Sequence, residues 1–146
     1  MKKPQRITRV QLKVNNENDS LMLGIVSSDA DYKLSLAINK KLRISLKTIS
    51  PVEFKNESGN DMHFSMFSDS AGTPDLIINL VSNRSGKNFL LKKLKNIDYI
   101  LQLYDPEKSY NSDNLISKLR EIESVTAVFQ LDIKTLRDRN LRYLMH

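Results

Sequence analysis

The sequence predicts an α+β domain: a largely antiparallel sheet with two helices on one face, in a ferredoxin-like arrangement of two strand–helix–strand units around a hairpin. Three observations predict it. Short apolar runs of strand length, alternating or continuous, recur along the chain. Two segments, 29–42 and 112–122, instead carry apolar residues at helical spacing. Each of these is flanked by strand-like runs, and a helical crossover returns the chain to the sheet right-handedly. Two such units can interleave with both helices on one side.

The elements follow in order. Val10, Leu12 and Val14 alternate with polar residues and read as a first strand. Residues 15–20 are a polar turn cluster. Residues 21–26, LMLGIV, form a continuous apolar run that suits a strand buried on both faces. Ser27 and Ser28 offer N-cap oxygens, and Asp31, three residues after Ser28, comes close to a capping box. In the first helix Ala30, Leu34, Ala37, Ile38 and Leu42 share one arc, while Tyr32 and Leu36 lie nearer the opposite side. Residues 44–49 read as a strand that Ser50-Pro51 ends. After a loop at 56–61, Met62, Phe64 and Met66 alternate. They pair as a hairpin with the run at 76–81, across a turn at 68–74.

A basic loop follows at 83–88. Ile97, Tyr99, Leu101 and Leu103 then alternate on one face of a strand that Asp105-Pro106 stops. Asn111 or Ser112 caps the second helix, with Leu115, Leu119 and Ile122 as its stripe. Ala127, Phe129, Leu131 and Ile133 make the last strand, and residues 134–146 form a basic tail. The expected core is Leu34, Ile38, Tyr99, Leu101, Leu119, Phe129 and Leu131. One domain is expected over residues 1–146, with its core at about 7–133.

Composition narrows the class. The 146 residues suit one domain. There is no cysteine, hence no disulfide and no thiolate metal site. The basic N-terminus is followed by no apolar stretch of signal-peptide type, and no apolar run reaches membrane-spanning length. A cytoplasmic location without membrane contact is expected. The formal charge of +6 raises the prospect of polyanion partners, but acidic residues are interspersed through most basic stretches, as on a solvated surface.

Catalytic chemistry finds little support. The two histidines, His63 and His146, have no cysteine to join and no Gly-x-Ser-x-Gly elbow nearby. No His-x-His or His-Glu pair suggests a metal. The four glycines are far apart, so no Gly-rich nucleotide loop exists, although residues 82–87, SNRSGK, could hold an anion with backbone amides and two cations. No catalytic residue, metal or cofactor is therefore expected.

Several short stretches, in order, resemble the family of small bacterial proteins named for its IPExxxVDY motif. Leu23-Gly24-Ile25, Ser27, Ser28 and Asp31-Tyr32-Lys33-Leu34 look like its opening, and Ile38-Asn39-Lys40 like its continuation. Phe64 and Phe67 look like its aromatic pair, and Leu80-Val81-Ser82-Asn83-Arg84 like a later strand end. Ile97-Asp98-Tyr99 matches the end of the naming motif, whose beginning is replaced by Leu91, Lys92 and Lys93. Asn140-Leu141 resembles the family's ending. The family brings no established activity.

The polar clusters give the candidate ligand- or partner-binding residues: Asp31, Tyr32, Asn39, Lys40, Ser82, Asn83 and Asp98. An aspartate is disfavoured in a strand, so Asp98 calls for a compensating partner. The function expected is a non-enzymatic cytoplasmic binding or protein-interaction module. Its partner is an unknown protein or small molecule, with self-association into a homo-oligomer. The alternative is a nucleic-acid-binding protein using the basic segments 40–43, 84–95 and 137–142. A third reading is an enzyme using Asp31, Asp98 or a tyrosine.

Overall fold

The computed structural model describes residues 20–69, 76–108, 110–136 and 138–144. The strand expected at Val10–Val14, most of the turn expected at 68–74, and the end of the tail lie outside them. The described chain is α+β. Its elements are β1 (Ser20–Ser27), α1 (Asp31–Leu42), β2 (Lys47–Lys55), β3 (Asp61–Asp69), β4 (Ile77–Ser82), β5 (Arg84–Ser85) and β6 (Asn88–Phe89). There follow β7 (Tyr99–Tyr104), α2 (Ser112–Arg120), β8 (Val125–Gln130), the single turn α3 (Ile133–Leu136) and a 3-10 turn at Arg139–Tyr143. Six strands form one sheet in the order β2-β3-β4-β7-β1-β8, and every pairing is antiparallel. β5 and β6 form a separate two-stranded ribbon.

The sheet has a core on each side. On one, Leu23 and Ile25 of β1, Leu80 of β4, and Tyr99, Leu101 and Leu103 of β7 pack against Leu34, Ile38 and Leu42 of α1 and Leu115 and Leu119 of α2. Both long helices thus cover the same face, as their apolar stripes require. On the other side Met22, Phe64, Val81 and Ile100 are covered by Leu90, Leu91 and Ile97, and by Leu141 and Leu144 of the tail. Strand alternation supplies both sets: Met22 and Leu23, or Ile100 and Leu101, point opposite ways.

Several expectations are corrected. The two strand–helix–strand units bracket a β2-β3-β4 meander and a ribbon rather than one hairpin, and the sheet has six strands. The strand after α1 does not stop at Pro51. β2 lies at the sheet edge, where a missing N–H is tolerated, and a bulge between Ile49 and Val52 absorbs the proline. The first helix begins at Asp31, with Ala30 as N-cap and no side-chain cap; Ser27 Oγ instead accepts from Asp29 N at 3.2 Å. Asp31 still occupies one terminal amide, since its Oδ1 accepts from Tyr32 N at 2.7 Å. The second helix ends at Arg120, short of Ile122. Its N-cap is Asn111, whose side chain accepts from Asn114 N.

Of the expected core, Leu34, Ile38, Tyr99, Leu101 and Leu119 are buried, whereas Phe129 is 50% exposed and Leu131 only partly covered. A bulge between Val26 and Ser27 shifts the β1–β8 register, so that Val125 and Val128 take the core positions. Ile97 does not share Tyr99's face. It precedes β7 and lies over Gly24, where an added Cβ would sit 3.0 Å from Ile97 Cδ1. Finally, the core does not end at 133. Leu141 and Leu144 are buried, Asn140 Nδ2 donates to Leu90 O at 2.6 Å, and Gln102 Nε2 donates to Leu144 O. No helix among the described residues is long and apolar enough to cross a membrane.

Candidate functional site

The antiparallel register brings the ends of β4 and β7 and the start of α1 to one place. Ser82 pairs with Tyr99 across β4 and β7. Ile25 pairs with Tyr99 across β1 and β7, so the chain that leaves β1 for α1 runs past Tyr99. Tyr99 Oη donates to Asp29 O at 2.6 Å and ties the entry of the helix to the sheet. An open cleft of about 410 Å³ forms here, with Asp31, Tyr99, Ser82, Ser65, Arg84 and His63 on its walls.

Asp98 stands behind this cleft. Its Oδ2 accepts from Ser27 N at 3.0 Å, and its Oδ1 holds Arg84 Nη2 at 3.1 Å. The compensation that a strand-edge aspartate needs is thus a backbone amide and a guanidinium. Arg84 also lies 5.2 Å from the ring centre of Phe89. It is fixed on two sides while its side chain stays 49% exposed. Ser65 and Ser82 share a hydroxyl–hydroxyl bond of 2.7 Å. At the rim, His63 Nδ1 lies 3.2 Å from Glu53 Oε2.

The Tyr99 hydroxyl is a strong holder of its proton. Burial is the largest cause, with the Asp31, Asp98 and Asp29 carboxylates adding to it and Arg84 opposing, and its pKa is pushed up to about 12. At neutral pH it is a donor and structural pin, not a base.

The seven residues expected to bind divide accordingly. Asp31 and Ser82 line the cleft, and Asp98 positions Arg84 there. Tyr32 is exposed on the outer side of α1, away from the core stripe. Asn39 is a bracket: its side chain donates to Leu46 O at 3.2 Å and accepts from Leu46 N at 2.7 Å, closing the turn from α1 into β2. Lys40 is exposed in the last turn of α1. Asn83 is wholly buried, with its side chain engaged by Leu91 N, Leu94 O and Ile97 O, and it shapes the loop over the second core.

Of the cleft residues, Ser65 is not singled out by the sequence, His63 is weighed there only as a catalytic or metal residue and set aside, and Arg84 enters as one of the two cations of the 82–87 loop. No sequence spacing links residue 84 to 98, or 65 to 82; the sheet register does. Among the described residues no cluster of three His, Asp or Glu side chains could hold a metal ion. No family model, curated protein or solved structure matches the chain.

Proposed function

We propose that the protein is a non-enzymatic binding module of the cytoplasm, and that the cleft between Asp31, Tyr99, Ser82 and Arg84 is its ligand site. The observation that carries this reading is Arg84, held by Asp98 and Phe89 yet half exposed beside hydroxyls and a carboxylate. A guanidinium fixed in advance loses little entropy on meeting an anionic group. Asp31 offers the opposite charge to a cationic group. The chemistry that fits is a small zwitterion carrying a carboxylate and an ammonium. Tyr99, Ser65, Ser82 and Asp98 are engaged in holding the cleft's shape, which favours binding over turnover. A chain of 146 residues without cysteine suits a reducing compartment.

Two further readings belong with this one. Three separate stretches resembling the IPExxxVDY family each bring a residue to this cleft: Asp31 from the first, Ser82 and Arg84 from the second, and Tyr99 from the third. That convergence supports membership of the family. The run β8-β1-β7-β4, with a helix after β1 and after β7, supports a ferredoxin-like core to which β2 and β3 are appended.

The test is melting temperature and 15N amide shifts of the full chain with free amino acids and glycylglycine as probes. Occupancy at a hundredfold excess over Kd stabilises by about 2.7 kcal/mol, a rise of roughly 5–10 °C at this size. Arg84→Ala should abolish the rise. If no probe moves the amides of residues 82–85 and 98–99, the cleft reading is wrong.

A further inference from the structure

On the second core's side the tail lies beside the β2–β3 hairpin and the β6 loop, and a groove of about 450 Å³ opens between them. Two basic segments far apart in sequence meet along it. Lys55, Lys92, Lys93, Arg139 and Arg142 line it with two carboxylates, Glu57 and Asp138, and a third, Asp61, pairs with Lys55 at 3.8 Å, so five positive charges less three leave +2. Arg139 is paired with Glu57 at 2.6 Å. Lys92 and Arg142 are exposed.

The groove also carries planar groups. The rings of Phe54 and Tyr143 stack with centroids 4.2 Å apart and only 7° between planes. The Arg142 guanidinium lies 4.9 Å from the Tyr143 ring centre, and its Nη2 donates to Tyr143 Oη at 2.9 Å. A phenyl ring, a phenol ring and a guanidinium plane thus form one run at the surface. Bases of unpaired strands stack on aromatic and guanidinium planes alike, while lysines follow the phosphates. Acidic protein segments use the charge but have no need of the planar run.

We propose that this groove binds single-stranded nucleic acid, a phosphate beside Lys92 and a base against the Arg142 plane. The site is separate from the cleft and stands or falls without it. Association is tested by fluorescence anisotropy with a labelled mixed-sequence RNA of about 12 nucleotides, within the usual span of single-strand sites. Neutralising two phosphates gives a slope of about −1.4, so affinity should fall roughly 7-fold from 50 to 200 mM salt. Lys92→Ala should lower that slope by about 0.7, whereas Lys40→Ala, on the helix face, should leave it unchanged. Arg142→Lys keeps the charge and removes the plane. It should weaken RNA binding several-fold and leave heparin binding as it was. No salt-dependent binding at 50 mM, an equal loss from Lys40→Ala, or equal effects of Arg142→Lys on RNA and heparin would each overturn the proposal.

Discussion

Asn83→Ala is the sharpest probe of how the second core is closed. Asn83 Nδ2 donates to Leu94 O and Ile97 O, both at 2.9 Å, and Oδ1 accepts from Leu91 N at 2.7 Å. The residue is fully buried, so water cannot replace these partners. Each lost bond is worth about 0.5–1.5 kcal/mol net, and each backbone group left unpaired costs roughly 1–3 kcal/mol. The loop can relax at some of the three, which leaves an expected loss of about 3–5 kcal/mol, a large part of a stability of roughly 5–15 kcal/mol. Urea unfolding should show a lower midpoint at unchanged m. Asn83→Asp separates bonding from shape. It still accepts from Leu91 N, but sets a carboxylate against two carbonyl oxygens. While ionised it should be at least as damaging, and it should recover in part as falling pH protonates the acid so that it can donate, above the ordinary carboxylate range because burial and the two carbonyls disfavour the charge. A loss under about 1 kcal/mol for Asn83→Ala, or Asn83→Asp behaving as wild type at pH 7, would refute the bracket.

Leu101, 1% exposed beneath both helices, should cost about 2–5 kcal/mol when truncated to alanine, measured by denaturant unfolding. Removing residues 140–146 takes away Leu141 and Leu144 and uncovers the second core beneath them. At about 1.5–3 kcal/mol for each buried side chain, the truncated chain should unfold far earlier in a thermal scan. Tyr99 and Tyr110 both have raised pKa values from burial and nearby carboxylates. Below pH 10 both states keep the Tyr99 proton. Between pH 10 and about 12 only the folded state does, so the stability this group contributes is full below pH 10 and lost across that window. Tyr99→Phe should flatten that alkaline limb in a pH series of unfolding midpoints.

The helix face was largely legible in the sequence, because one periodic stripe decides it. Leu34, Ile38 and Leu42 stand at i, i+4 and i+8, and Leu115 and Leu119 at i and i+4. Alternation also placed Tyr99, Leu101 and Leu103 together. What escaped depended on single irregularities that leave no periodic trace. Phe129, opposite Gly24 on the edge strand β8, faces away from Val128 and stays half exposed on that side. An edge position let β2 run through Pro51. Leu90 and Leu91 sit in a segment with neither period, so nothing marked them as the lid of a second core. Asn39 and Asn83 read as polar and therefore available; only the folded chain reveals that their amides are occupied by backbone. The cleft was half legible: Asp31, Ser82 and Asp98 were marked, but the sheet register that joins them to Ser65 and Arg84 was not.

The two faces of the sheet are built on different physical terms, and this bears on where partners can act. The helix face is closed by two regular elements that supply their own backbone hydrogen bonds. The other face is closed by irregular chain, which must find partners for its amides and carbonyls. Asn83 serves the loop at Leu91, Leu94 and Ile97, Asn140 serves Leu90, and Gln102 serves Leu144. Loop and tail are therefore fastened to the same sheet at neighbouring points, and Lys92, Lys93, Arg139 and Arg142 are brought to one groove by that fastening rather than by any attraction among themselves. Holding like charges together raises the energy of the free protein and lowers the cost of meeting an anion. Asp98 and Arg84 stand where the loop leaves the sheet, with Arg84 over Phe89 at the groove's other end. The ribbon thus touches both sites, Arg84 lining the cleft and Phe89 the groove, so a substitution that frees the loop, such as Asn83→Ala, should weaken binding at both, whereas Arg84→Ala should silence the cleft and leave the salt slope of the groove intact.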